Sequence, residues 1–181
     1  MATAEAAPPS PFFRRHCDLL RAAARRGPVL DLACGRGRHA LASHALGAQV
    51  VAADRDRLAL RGLRAAPLEG PSAIAVDLES GRGWPFAPGR FGAVLVFRYL
   101  FRPLAGPIVD CLRPGGLLLY ETFTLHQREV SHGPGNPAFL LEEGELARLF
   151  PTLEVLEYAE GWTPGPRPLA LAQLLARKPG G

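Results

Sequence analysis

Asp31 sits inside a short apolar run, Val29-Leu30-Asp31-Leu32, and a small-residue turn follows at once, Ala33-Cys34-Gly35-Arg36-Gly37. A carboxylate at the end of a buried strand suits a positively charged ligand. Gly35 and Gly37 can take backbone angles closed to other residues, and they leave no side chain between main chain and ligand. Arg38 to Leu46 then carries a helical pattern, so unpaired N–H groups and a positive dipole end face the same turn. Two more acids close apolar runs farther along, Asp54 after Gln49 to Ala53 and Asp77 after Ser72 to Val76. An acid ending the second strand, 23 residues beyond Asp31, is placed to accept hydrogen bonds from both hydroxyls of a ribose. Each acid also has a plainer reading. Asp54 or Asp56 could cap a helix starting near Arg57, and Asp77 could form an Asx turn. Arg38 is near enough to the turn to meet a ligand carboxylate. Arg55 would suit a 2′-phosphate but reads better as a solvated arginine.

Strand, glycine turn and helix form the first unit of a nucleotide-binding α/β sheet. Two ligand classes use such a turn. Gly35-x-Gly37-x-x-Ala40 fits the relaxed dinucleotide fingerprint, whose pyrophosphate sits on the helix N-terminus. Asp31 opposes that reading, because a carboxylate facing a pyrophosphate costs about 1–4 kcal/mol at partly exposed distances. The same carboxylate suits the ammonium and sulfonium groups of S-adenosylmethionine. The stretch resembles motif I of class I S-adenosylmethionine-dependent methyltransferases, acid-x-Gly-x-Gly-x-Gly, with Ala33 in place of the first glycine. The resemblance implies a cofactor site of Asp31, Ala33, Gly35, Gly37, Arg38, Asp54, Arg55, Asp77, Leu78 and Phe97. In that family the acid after the third strand bonds the adenine amino group and its neighbour's backbone reads a ring nitrogen; Asp77 and Leu78 match those positions.

Composition narrows the class further. With 181 residues and 48% hydrophobic content, the chain can bury a real core. No apolar run approaches the roughly 20 residues that span a bilayer. The net charge of +4 is carried almost wholly by arginine, with Lys178 the sole lysine, and so permits an acidic partner without demanding one. Nucleic acid is therefore allowed but not indicated. Cys17, Cys34 and Cys111 are widely spaced, which argues against a zinc site or a disulfide scaffold and for a reducing, cytoplasmic compartment.

The elements that must position the site follow in order. Residues 1–11 are small and proline-rich and are expected to be a flexible arm, with 12–181 a single domain. Phe12 to Arg26 reads as one amphipathic helix with Leu19, Leu20 and Ala23 inward. After the strands ending at Asp31 and Asp54, Leu58 to Ala65 is a short helix and Ser72 to Val76 a third strand. A loop with Trp84-Pro85-Phe86 resembles the family's connection in which an aromatic packs under the next strand. Phe91 to Val96 is the central fourth strand. Pro103 to Leu112 is a helix, Arg113 to Gly116 a turn, and Leu117 to Tyr120 the fifth strand; Leu-x-Pro-Gly-Gly before it is another family hallmark. Glu142 to Phe150 is a helix, and Leu153 to Tyr158 and Leu169 to Arg177 make a final hairpin. The expected fold is α/β: a seven-stranded Rossmann-like methyltransferase sheet, mostly parallel with an antiparallel last strand and helices on both faces. The general resemblance covers residues 28–178. Arg98 to Leu146, with the Gly-Arg-Gly-Arg-His loop, looks like a small bacterial branch related to tellurite-resistance methyltransferases.

In open parallel sheets ligands bind beyond the strand ends where strand order switches, so Arg98 and Tyr99 are the expected substrate contacts. The Asn/Asp-Pro-Pro-aromatic motif of nucleic-acid amino-methylating enzymes is missing here. Methyl transfer is a displacement from a good leaving group, so a base is needed only where the acceptor must lose a proton. Tyr99, His126 and Glu121 are the candidates; no metal is implied. The expected function is methyl transfer to a small molecule. The alternatives are methylation of RNA or protein, an NAD(P)-dependent oxidoreductase, and a non-catalytic cofactor-binding protein.

Overall fold

The computed structural model describes residues 7–64 and 70–180. Seven strands form one sheet in the order β3-β2-β1-β4-β5-β7-β6, where β1 is Val29–Leu32, β2 Val50–Asp54, β3 Ser72–Ala75, β4 Phe91–Phe97, β5 Leu112–Phe123, β6 Glu154–Trp162 and β7 Ala170–Arg177. The first five pair in parallel, and β7 runs antiparallel between β5 and β6. Strand order reverses between β1 and β4, which opens a crevice at their C-terminal ends.

Side-chain alternation assigns the two faces. Leu30, Leu32, Val94, Val96, Leu118 and Tyr120 point to one face, against Ile108 and Cys111 of α5 (Ala105–Cys111) and Phe150. Val29, Ala93, Leu95, Leu117 and Leu119 point to the other. That face is covered by α1 (Pro11–Arg15), α2 (Cys17–Ala24), α3 (Arg38–Ala45) and the region of α4 (Arg61–Arg64). Phe86 meets Phe91 edge-on at 5.5 Å and Trp84 meets Phe86 at 5.1 Å, the aromatic brace expected of the loop before β4.

Several elements differ from the sequence reading. The single helix over Phe12 to Arg26 is two, broken at His16 (φ −109°); the break lets the adjacent Phe12 and Phe13 both bury completely. Leu20 and Ala23 face inward as expected, but Leu19 is exposed. At the end of the expected arm, Pro11 begins α1, and Ser10 is buried and caps it, its hydroxyl accepting from the Phe12 N–H. Residues 1–6 and Ala65 lie outside the described residues. The helix before β5 starts as a 3-10 turn, Arg102–Leu104, before α5. The Arg113–Gly116 turn is a bulge inside β5: Phe91 pairs with Leu112, but Ala93 pairs with Leu117. Only Glu145–Arg148 of the expected late helix is helical (α6), and β6 continues to Trp162.

Candidate functional site

Two cavities open side by side above the C-terminal strand ends and share Ala33 and Arg98. The smaller, about 430 Å³, is lined by Asp54, Arg55, Asp77, Leu78 and Tyr99, with Phe123 and Phe139 on its outer side. The larger, about 1120 Å³, is lined by Asp31, Gly35, Arg38, His39, Phe97 and Ala7. All ten residues expected to contact the cofactor border these cavities except Gly37, whose role is structural. Gly37 (φ +79°) starts α3, and a Cβ there would lie 2.5 Å from Leu63. Gly35 (φ +54°) has open space where its side chain would be, so its backbone is bare toward the cavity. Ala33 holds φ +51°, a left-handed conformation costing about 1–2 kcal/mol for a residue with a Cβ, which explains why a glycine suits that position.

The three acids lie where their strands end on the same edge of the crevice. Asp54 accepts from the Gly35 N–H at 2.7 Å and from the Asp56 N–H at 2.8 Å, so it also ties the glycine turn to β2. The capping role belongs to Asp56, which accepts from the Leu58 and Ala59 N–H groups. Asp77 does make the Asx turn, accepting from the Glu79 N–H at 3.0 Å, and still borders the smaller cavity.

Asp31 is 1% exposed, and its Oδ2 has no hydrogen-bond partner. Burial pushes its pKa up to about 7, opposed by the Ala40 N–H and the Arg38 guanidinium and assisted by the nearby Asp54 charge. A carboxyl raised above its unfolded value holds its proton better in the folded state. The stability this gives is therefore fully present below about pH 4 and lost as pH rises to about 7. Asp31→Asn is expected to stabilise the ligand-free protein at pH 8 by on the order of 2 kcal/mol and to flatten its stability between pH 5 and 8. Thermal melts across that range check this; an unchanged pH slope would contradict it. A cation beside Oδ2 would pull the proton off, so cationic-ligand affinity should rise about tenfold from pH 6 to pH 8.

Arg98, like Ala33, has a left-handed backbone, φ +62°. Its N–H donates to the Glu121 carbonyl at 2.8 Å. Its guanidinium lies 3.2 Å from Glu121 Oε1, an ion pair whose geometry falls short of a hydrogen bond, and 4.9 Å above the Phe123 ring. Burial lowers the Arg98 pKa and the Glu121 carboxylate opposes that.

The three candidate bases fare differently. Tyr99 borders the smaller cavity. Burial and the Glu79 carboxylate raise its pKa far above the usual phenol range, so it stays protonated and can orient an acceptor but cannot deprotonate one. Glu121 borders neither cavity; it is 1% exposed and accepts from Ser10 Oγ at 2.9 Å and Gln173 Nε2 at 2.6 Å. His126 is a surface residue paired with Glu129 at 2.6 Å, which raises its pKa, and it also borders neither cavity. Arg102, four residues beyond Arg98, is engaged by Glu145 at 2.5 Å and by the Ala138 and Leu140 carbonyls.

His39, Ser10 and Gln173 escaped the sequence reading. His39 is buried and stacks on Phe97 at 3.8 Å. Its position in Gly-Arg-Gly-Arg-His was the available signal. Ser10 and Gln173 meet Glu121 only through tertiary contacts, 111 and 52 residues away in sequence.

The residues present fit S-adenosylmethionine. The orphaned Asp31 oxygen, the two further acids and the bare Gly35 backbone offer a cationic adenosyl ligand what it needs, and they oppose a pyrophosphate. Among the described residues, no group of three or more His, Cys, Asp or Glu is placed to hold a metal ion.

Comparison with known proteins agrees. Residues 29–116 match the family model of the methyltransferase domain. No curated protein matches the chain in sequence. Among solved structures, TehB from Haemophilus influenzae superposes with TM-score 0.71 at 22% identity, covering 90% of this chain and 62% of TehB; this chain thus spans less than two thirds of TehB. An S-adenosylmethionine-dependent methyltransferase from Mesorhizobium loti superposes with TM-score 0.69 at 18% identity, covering 90% of this chain and 97% of that one. The [4+2]-cyclase SpnF shares the fold too, with TM-score 0.67 at 17% identity over 98% of this chain and 86% of its own. Residues 29–116 are thus similar to a methyltransferase domain, and the seven-stranded sheet is the fold of the S-adenosylmethionine-dependent methyltransferase structures on which it superposes.

Proposed function

We propose that this chain transfers a methyl group from S-adenosylmethionine to a small-molecule acceptor bound beside Arg98 and Tyr99. The observation that carries the cofactor reading is the unpartnered, buried Oδ2 of Asp31 at the edge of a cavity bordered by a bare glycine backbone. Asp54 would hold the ribose hydroxyls, and Asp77 with the Leu78 backbone the adenine. Asp31, Gly35 and Arg38 would hold the aminoacyl end. The cofactor supplies an electrophilic methyl on a sulfonium.

This chain's part is then alignment and exclusion of water. Tyr99, Leu100, Phe123 and Phe139 give the smaller cavity an apolar outer wall against which an acceptor can be oriented. The small-molecule reading is favoured because two arginines that could serve a nucleic-acid face, Arg98 and Arg102, are committed to Glu121 and Glu145. Among the described residues no helix is long and apolar enough to cross a membrane, and the three free cysteines support a cytoplasmic setting.

The test is to incubate the protein with methyl-labelled S-adenosylmethionine and fractionated cell extract. Label should appear in the low-mass fraction. Label confined to RNA or protein would transfer the assignment to those acceptors, and cofactor binding without label in any fraction would favour a non-catalytic role.

A further inference from the structure

Ala7 lines the larger cavity, and Ser10, three residues on, fastens the segment 7–10 beside it by both its backbone and its side chain. The Ser10 N–H donates to His39 Nε2 at 3.1 Å, and its hydroxyl donates to Glu121 Oε2 at 2.9 Å. The first bond requires Nε2 to be unprotonated, so His39 carries its proton on Nδ1. Burial together with the Arg38 and Arg98 charges lowers the His39 pKa to about 3, which keeps the ring neutral at neutral pH, and the Ser10 N–H then fixes its tautomer. Glu121 in turn accepts from Gln173 and pairs with Arg98, whose side chain borders both cavities. Arg38 reaches back to the Pro8 carbonyl at 3.5 Å, and Ala7 forms part of the cavity wall. The segment thus touches the cavity lining at His39 and Arg38 and is tied behind it to Glu121, while Ala7 itself is exposed.

We propose that residues 7–10 are a strap across the aminoacyl end of the cofactor, fastened by Ser10 between His39 and Glu121. This rests on the reading above that the larger cavity holds that end. The strap makes the site selective for ligands that carry the aminoacyl group. An adenosyl thioether without that group fills only the smaller cavity and does not feel it. Ser10 is accordingly a positioning residue for binding.

The experiment compares S-adenosylhomocysteine with 5′-methylthioadenosine, two neutral-sulfur ligands that differ in the aminoacyl group, by calorimetry on the full chain. In Ser10→Ala, affinity for S-adenosylhomocysteine should fall about tenfold, the effect of one lost charge-assisted hydrogen bond, while that for 5′-methylthioadenosine changes less than twofold. Ser10→Thr, which keeps the hydroxyl, should restore the preference. Ala7→Trp is the second variant; it alters an exposed position, so folding is spared, and its indole should obstruct only the larger cavity. If the ratio of the two affinities moves less than threefold in both Ser10→Ala and Ala7→Trp, the strap is overturned, and so it is if both ligands weaken equally. Should the unmodified protein bind neither ligand, the cofactor-site reading itself fails, which is a separate result.

Discussion

Asp54→Ala should weaken S-adenosylmethionine binding by about 1–3 kcal/mol, the cost of leaving a pair of buried ribose hydroxyls without their acceptor. The structure adds a second reason for a large effect. Asp54 also accepts from the Gly35 N–H, so its removal loosens the turn over which the ligand lies. Asp54→Asn separates the two contributions, since its amide oxygen can still accept from Gly35 but its amide nitrogen cannot accept from a hydroxyl. Calorimetric titration should rank the variants wild type, Asn, Ala. Equal affinity in all three would remove the ribose assignment.

Gly92→Ala should cost about 3 kcal/mol of stability, at the upper end for an overpacked core. A Cβ on Gly92 would lie 2.1 Å from the Ala23 carbonyl oxygen and 2.7 Å from that of Gly27. Both are backbone atoms, so no side chain can swing aside; α2 would have to lift off β4. For a chain of this length that loss corresponds to a melting temperature lower by about 6–12 °C. A melting temperature unchanged within error would show that α2 can shift at little cost.

Much of this fold was written in local pattern. Short apolar runs around or before Asp31, Asp54 and Asp77 marked the first three strands, because buried parallel strands such as β1 need nearly continuous apolar residues and ligands lie beyond the strand ends; β3, at the sheet edge, is half exposed and was marked by its flanking acid more than by burial. The bulge of β5 was half legible: Pro114-Gly115-Gly116 signals a turn, but only pairing with β4 shows that the chain resumes the same strand. The network around Glu121 was not legible. Ser10, Arg98 and Gln173 converge there from three separate segments, and nothing local marks a serine in a proline-rich stretch as buried. Arg98 looked like a substrate arginine because it ends the central strand. Its left-handed backbone and its pairing with Glu121 are tertiary facts. His126 misled for the opposite reason: it follows β5 closely in sequence, yet the 3-10 turn Leu125–Glu129 carries it to the surface.

Asp31, Asp54 and Asp77, carried by three neighbouring strands, together are expected to grip an adenosyl cation. Calorimetric titration of the full chain with S-adenosylmethionine and, separately, with NADH tests this most directly. Binding of S-adenosylmethionine that strengthens about tenfold from pH 6 to pH 8 as Asp31 ionises, with no heat from NADH, is the expected result. Tight NADH binding without any for S-adenosylmethionine would contradict it.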